Sequence, residues 1–169
     1  MSTFGKAIPV NLFGESHGKA IGITINNLPG GIKLDIEKIN QELFKRRPKS
    51  KLSTSRREQD EVVFLSGFFD GKTTGTPLTV VVNNNDTRSR DYTPNILRPS
   101  HADYTAHMKY NQSQDYRGGG HFSGRLTTPI VILGAIAQQI LEQKGIIIAS
   151  HINSIKDMND LNFSDVTPN

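Results

Sequence analysis

The chain has 169 residues, no cysteine and a formal net charge of +4 at neutral pH. This length suits one domain with a hydrophobic core of its own. The absence of cysteine excludes disulfides, thiolate metal sites and cysteine nucleophiles. Residues 1–10 do not follow the pattern of a signal peptide, and the longest apolar stretch, residues 130–137, is too short to cross a bilayer. We therefore expect a cytoplasmic protein with no membrane partner.

The N-terminal part of the chain predicts two strands followed by a helix. The strands, residues 7–12 and 21–26, flank a glycine-rich segment, and the second alternates isoleucine with smaller residues. Asp35 is placed to cap a helix whose apolar side chains recur at helical spacing. Pro48 should stop this helix just beyond two arginines.

The middle of the chain predicts a β-hairpin and then a long loop. Residues 61–66 and 78–83 have strand composition and lie on either side of a Gly/Thr turn at residues 70–77. Residues 84–99 are polar and rich in turn formers. Ordered loops of that length are usually functional.

The C-terminal part predicts two helices and one strand. The first helix runs from Ser100, which can cap it, to residue 109, and the second covers residues 123–144 and ends at Gly145. The centre of the second helix is apolar all round, so we expect it to be buried on several sides. Residues 146–152 are a further strand candidate, and the tail from residue 154 contains no recognisable closing element. Alternating short strands and helices predict an α+β layer arrangement.

Two glycine-rich segments place imidazole and hydroxyl groups where an anion can approach. The first contains Ser16 and His17, and the second, residues 117–125, contains a histidine, a serine and two arginines. His101 lies between them, and we place it in the first turn of the helix that Ser100 begins. The pattern indicates an enzyme that handles phosphate.

A basic run covers residues 45–57, where seven lysines and arginines occur without an acidic residue. Such a run can be a solvated loop, a docking site for an anionic ligand or a nucleic-acid-binding module. No aromatic residue is interleaved with the charges, as a base-stacking surface would require. We therefore expect no nucleic-acid partner.

These motifs, taken in order, resemble the chorismate synthase family. The resemblance is carried by residues 14–18, 46–48, 54–60, 66–67, 73–77, 100–104, 109–110, 115–120 and 123–125. Members of the family are about twice as long, so residues 1–169 resemble a truncated N-terminal part of a single chorismate synthase domain. The resemblance implies a layered β-α-β sandwich and, for the full-length protein, a homotetramer.

The resemblance also implies an activity. Chorismate synthases are carbon–oxygen lyases of the shikimate pathway, which makes the precursors of aromatic amino acids. They form chorismate from 5-enolpyruvylshikimate 3-phosphate by anti-1,4-elimination of phosphate. They require reduced FMN, some use NADPH to reduce it, and no metal is needed. An inactive truncated fragment of such an enzyme is the alternative interpretation.

Site residues follow from the same resemblance. His17 matches the histidine that protonates the departing phosphate, His101 matches the one that faces the flavin, and Ser16 matches a serine near the flavin N5. The candidate cofactor-binding residues are Arg46, Lys51, His121, Phe122 and Ser123, and the candidate substrate-binding residues are Arg47 and Arg125. The family more often has arginine where this chain has His121, which predicts weaker or pH-dependent pairing with cofactor charge.

Overall fold

The computed structural model describes residues 2–47, 59–87, 89–94 and 96–162. Its main feature is a five-stranded sheet with strand order β1-β2-β3-β7-β4, in which all neighbouring strands are antiparallel. The strands are β1 (Thr3–Phe4), β2 (Val10–Gly14), β3 (Ala20–Ile25), β4 (Val62–Ser66) and β7 (Leu78–Asn83). The predicted first strand therefore begins at residue 10 instead of residue 7, and no sequence pattern predicted β1.

One face of the sheet forms the hydrophobic core. The three isoleucines that alternate along β3 are fully buried and pair with buried residues of β7. The pairs are Ile21–Val82, Ile23–Val80 and Ile25–Leu78. Since side chains alternate between the faces of a strand, this register puts all six on the same side.

Two helices cover this face, namely α1 (Ile36–Lys45) and α3 (Thr127–Glu142). The side chain of Asp35 accepts hydrogen bonds from the first backbone N–H groups of α1, as predicted. The helices are joined by the side-chain amide of Gln139, which accepts from Asp35 N at 2.7 Å and donates to Asp35 O at 3.1 Å. The sheet and its helical layer confirm the α+β prediction, while the second sheet of a β-α-β sandwich stays a prediction.

Helix α3 is less buried than its composition predicts. Ile132 and Ile136 pack into the core, but Ile130, on the other side of the helix, is 41% exposed. The prediction of burial on several sides holds in part, since α3 packs against β3 and β7 of the sheet and against α1, while Ile130 and Gly134 lie on an exposed strip. Gly145 ends the helix as predicted: it has φ +72°, and the N–H groups of Gly145 and Ile146 bond back to carbonyls of the last turn.

The helical stretch Arg117–Glu142 is long and apolar enough to cross a membrane, by length and composition alone. This differs from the expectation drawn from residues 130–137, because the helical stretch extends beyond the apolar run. Core helices of soluble proteins meet the same criterion.

The predicted pairing of residues 61–66 with 78–83 is confirmed, since β4 and β7 are antiparallel neighbours. Their connection contains a smaller hairpin made of β5 (Phe68–Phe69) and β6 (Lys72–Thr73). Asp70 and Gly71 form its two-residue turn, and both have positive φ. Asp-Gly is a preferred pair for such turns.

Three further predictions differ from the structure. Helix α2 (Asp103–Lys109) begins after Ser100, which has φ +61° and does not cap it. Residues 146–152 are exposed except for the half-buried His151, and they do not form a strand, because no described strand pairs with them. The tail instead contains a small hairpin of β8 (Ser154–Ile155) and β9 (Met158–Asn159).

Residues 84–94, as far as described, form a loop with one 3-10 turn, Ser89–Asp91, in accord with the predicted ordered loop.

Candidate active site

A glycine turn within Arg117–Phe122 is the centre of the candidate site. Its three glycines all have positive φ, of 59°, 83° and 54°. A Cβ atom on Gly118 would lie 2.4 Å from His17 Cδ2 and 3.1 Å from Ser16 Oγ. A Cβ atom on Gly119 would lie 2.6 Å from His101 Cε1. Both the backbone conformation and the space require glycine, and the turn brings the two imidazoles to adjacent residues.

The loop that contains His17 is fixed on two sides. Ser16 is 2% exposed, and its backbone N–H donates to Gly120 O at 3.0 Å. The side-chain amide of Asn84 donates to Glu15 O at 3.0 Å and to Gly18 O at 2.9 Å. These bonds hold the loop between the end of β7 and the glycine turn.

The imidazole of His17 contacts the long loop that follows β7. Its Nδ1 is 3.0 Å from Ser89 Oγ. The ring of Tyr92 lies edge-on to it, with centroids 5.2 Å apart. The loop for which the sequence predicted a function therefore does reach the candidate site.

His101 is held by an ion pair next to it. Its Nδ1 is 2.6 Å from Asp103 Oδ1, and Arg98 Nε donates to Asp103 Oδ2 at 2.8 Å. The hydrogen bond from Arg98 holds the pKa of Asp103 well below its usual range, although burial acts in the opposite direction. His101 precedes α2, so its predicted place in the first turn of that helix was wrong.

Arg125 takes part in a buried charge cluster. Its guanidinium donates to Asp60 Oδ1 and, at 3.1 Å, to Asn84 Oδ1, and its side chain is 6% exposed. Arg46 shares the same carboxylate at 3.4 Å and donates to Gly124 O at 3.3 Å. Arg125 is thus connected to the His17 loop through Asn84, with its charge directed at Asp60.

The three residues after the glycines have different surroundings. His121 Nδ1 donates to Gly14 O at 2.9 Å, and its Nε2 is 3.0 Å from Ser2 Oγ, so both ring nitrogens have partners within the chain. Ser123 Oγ accepts from Arg125 N at 3.3 Å. His121 and Phe122 both line the cavity described below. The cofactor contacts predicted for these residues stay predictions.

A cavity of about 490 Å³ lies beside the glycine turn, within the size range of small-molecule sites. Its wall includes the rings of Phe122 and Tyr110, whose centroids are 6.0 Å apart, and it reaches the site at Gly119 and Asp103. His17 and His101 do not line it themselves. The described lining residues include no lysine or arginine, so the cavity suits a flat uncharged ring better than a phosphate.

Asp115 lines the same cavity as part of a second ion pair. Arg117 Nε donates to its Oδ1 at 2.8 Å, and Arg117 Nη2 donates to its Oδ2 at 2.7 Å. This bidentate pairing lowers the pKa of Asp115, although burial opposes it. In the part of the chain that the structure describes, no three histidine, aspartate or glutamate side chains are grouped as a metal site requires.

One predicted site residue, Arg47, is not brought to the glycine turn. Arg47 places its guanidinium over the ring of Phe44, 5.4 Å from the centroid, on α1. Lys51, like Pro48 and most of the basic run, lies outside the described residues.

The sequence did not predict the roles of Asn84 and of Ser89 with Tyr92. The only available signal was the length and polarity of the loop that contains them. Pairing of Asp103 with His101 could have been expected from their spacing, since the carboxylate is two positions beyond the imidazole and can accept from one of its ring nitrogens.

Comparison with known proteins shows the family to which the chain is related. A family model described as chorismate synthase matches residues 8–168. The chorismate synthase of Azobacteroides pseudotrichonymphae is 50% identical over 161 residues, covering 94% of this chain and 45% of that protein. The chorismate synthase of Thermococcus kodakarensis is 48% identical over 153 residues, covering 89% of this chain and 43% of that protein.

A crystal structure of chorismate synthase matches with a TM-score of 0.60 and 30% identity, over 84% of this chain and 36% of the other. The chain thus spans a little less than half the length of the curated relatives that it matches. These matches, together with the motifs that converge on the glycine turn, establish that the chain belongs to the chorismate synthase family.

Proposed function

We propose that this chain provides the N-terminal part of a chorismate synthase active site. The complete enzyme would be a carbon–oxygen lyase that eliminates phosphate from 5-enolpyruvylshikimate 3-phosphate and forms chorismate. The observation that carries the proposal is the packing of Ser16, His17 and His101 against two adjacent glycines. These are the side chains that the family resemblance assigns to proton transfer, and they come from segments far apart in the sequence.

The chemistry requires acids that work near neutral pH. A phosphate leaving group departs more easily when it is protonated, and imidazole is suited to this because its ordinary pKa is close to 7. We assign protonation of the leaving phosphate to His17 and contact with the flavin to His101. Ser16 is close enough to Gly118 and His17 to pass a proton between groups bound there. Fixed positions for these groups lower the entropic part of the barrier.

Reduced FMN is the cofactor that the family implies, and it would supply a reducing centre with no net redox change. The cavity fits one edge of a flavin ring, because Phe122 and Tyr110 offer apolar surface, and contact with His101 requires the ring to extend past Gly119. The cavity does not fit the flavin phosphate, because its described lining lacks cations. We assign the phosphate contact to groups outside this cavity, with Arg46 and Lys51 as candidates.

We assign the substrate contact to Arg47 and Arg125. Arg125 would have to exchange part of its pairing with Asp60 for an anionic group of the substrate. For the complete protein we further propose a homotetramer in the cytoplasm, with NADPH as the reductant of the flavin.

A chimera tests the proposal directly. The chain would be joined to the C-terminal half of the Azobacteroides pseudotrichonymphae enzyme, and chorismate formation would be followed with reduced FMN. The complete relative serves as the positive control. We expect turnover, and we expect His17→Ala or His101→Ala to lower kcat by about a hundredfold or more. A folded chimera that binds FMN and substrate but releases no phosphate would contradict the proposal.

A further inference from the structure

We propose that Asp103, held in place by Arg98, is a positioning residue for His101. The pair fixes the neutral imidazole as the tautomer with its proton on Nδ1, so that Nε2 is the atom that exchanges protons. The tautomer assignment stands on the geometry of this chain. Its consequence for catalysis rests on the proposed function.

The hydrogen bonds that the two carboxylate oxygens of Asp103 accept leave one position for the proton of the neutral His101 ring. Oδ2 accepts from Arg98 N at 3.1 Å and from Arg98 Nε at 2.8 Å. Oδ1 accepts from Arg98 Nη2 at 3.0 Å and lies 2.6 Å from His101 Nδ1. An ionised carboxylate only accepts hydrogen bonds, so Nδ1 must be the donor. The side chain of Asp103 is 13% exposed, which limits competition from water.

The guanidinium of Arg98 also contacts the ring of His101, and its distances to the two nitrogens do not by themselves select the tautomer. Its Nη2 lies 3.2 Å from His101 Nδ1 and 3.4 Å from Nε2. A guanidinium only donates, and a neutral imidazole has a single nitrogen that can accept. The shorter contact of Nδ1 with Asp103 assigns the proton to Nδ1 and therefore the lone pair to Nε2.

The ion pair of Arg98 with Asp103 is also held in place by an aromatic ring. The guanidinium of Arg98 lies over the ring of Tyr92, 5.5 Å from the centroid, and the same ring lies edge-on to His17. Nε2 of His101 is directed at the glycine turn, since a Cβ on Gly119 would be 2.9 Å from it. The exchanging atom therefore lies against Gly119, next in the chain to the glycine that contacts His17.

Asp103→Asn makes the tautomer measurable. The amide oxygen is best placed at the former Oδ2 position, where it accepts from two N–H groups of Arg98. The amide nitrogen then faces Nδ1 and donates to it, which requires the proton on Nε2. The substitution should thus reverse the tautomer while it keeps the size of the side chain, as is known for a carboxylate that orients a catalytic histidine.

The experiment uses the whole chain labelled with ¹⁵N-histidine, at a pH where His101 is neutral. Its ring signals are assigned by their loss in His101→Gln. We expect the wild-type chain to show a protonated Nδ1 and a bare Nε2, and Asp103→Asn to show the opposite. The matched control is Asp115→Asn, which alters the other aspartate paired with a nearby arginine and should leave the His101 signals unchanged.

Two results would overturn the inference. One is a wild-type His101 with its proton on Nε2, which needs no variant and so does not depend on the folding of Asp103→Asn. The other is an Asp103→Asn chain with the wild-type tautomer. As a second variant, Arg98→Gln should weaken the preference for Nδ1–H, because Asp103 loses the donors that orient it.

Kinetics in the chimera separate this inference from the proposed function. If Asp103 positions His101, Asp103→Asn lowers kcat at least tenfold and changes KM less, and Asp103→Glu restores part of the rate. A reversed tautomer with unchanged kcat would overturn the positioning role and leave the proposed function standing. A wild-type chimera without turnover, in a chain with the expected tautomer, would overturn the proposed function instead.

Discussion

Replacing Gly118 with alanine tests how closely the glycine turn and His17 are packed. A Cβ atom at this position would be 2.4 Å from Cδ2 and 2.5 Å from Nε2 of the imidazole. Unstrained contacts between such atoms begin at about 3.5 Å, so the ring has to move by about 1 Å. The movement would weaken the hydrogen bond between His17 Nδ1 and Ser89 Oγ.

The expected loss of stability follows from two effects. A left-handed backbone costs alanine about 1–2 kcal/mol, and a broken hydrogen bond costs about 1 kcal/mol. We therefore expect Gly118→Ala to lower the free energy of unfolding by about 2–3 kcal/mol. Gly71→Ala is the matched control, because Gly71 also has positive φ but has no atom within 4 Å of a Cβ. It should cost only the backbone part, about 1–2 kcal/mol.

Urea unfolding measures these free energies, and NMR spectra of the histidine rings show which imidazole moves. Gly118→Ala should shift the ring signals of His17, Gly119→Ala those of His101, and Gly71→Ala neither. The reasoning would be refuted if Gly118→Ala and Gly71→Ala lowered the free energy of unfolding equally and gave the same His17 ring signals.

Three further predictions concern charge and cofactor binding. Asp60→Asn should lower the free energy of unfolding by about 3–5 kcal/mol, because it removes the carboxylate from the buried guanidinium of Arg125. Urea unfolding measures this loss. The control is Glu142→Gln, which breaks the exposed pair with Lys38 and should change the free energy of unfolding little. The pKa of Asp103 is lower in the folded chain than in the unfolded chain, where it is about 3.9. Ionised Asp103 therefore stabilises the fold at pH values above about 3.9, and this stabilisation is lost as the pH falls towards the folded pKa. The stability gap between wild type and Asp103→Asn should therefore narrow from pH 7 to pH 3, and a constant gap would contradict this. The chain alone should quench flavin fluorescence weakly and make little chorismate, so robust turnover by the purified 169-residue chain would refute our proposal that it provides only the N-terminal part of the active site.

Local signals in the sequence predicted much of the fold. The alternating isoleucines predicted β3, Asp35 predicted the start of α1, and Gly145 predicted the end of α3, because each acts through bonds or packing within a few residues. Elements that depend on a distant partner were less predictable. Residues 146–152 have strand composition, but a strand needs a neighbour and the described chain provides none. The two-residue strand β1 exists only because β2 is beside it.

The candidate site was likewise predictable where local motifs define it and not where it depends on residues distant in the sequence. The sequence motifs predicted Ser16, His17 and His101 as site residues, and the structure brings all three to one turn. Motifs did not reveal which carboxylate neutralises which arginine. Asp60 and Arg125 are 65 residues apart, and their pairing follows from the packing of α3 against the sheet. The charge of Arg125, predicted to face substrate, is therefore balanced within the chain.

The central claim is that one glycine turn holds both imidazoles, and proton–proton NOEs measure this directly. In the 169-residue chain we predict strong NOEs between Gly118 Hα and His17 Hδ2, and between Gly119 Hα and His101 Hε1. Both should be present in the same sample without cofactor or substrate. Absence of either NOE, with the core resonances of β3 and β7 intact, would contradict the account.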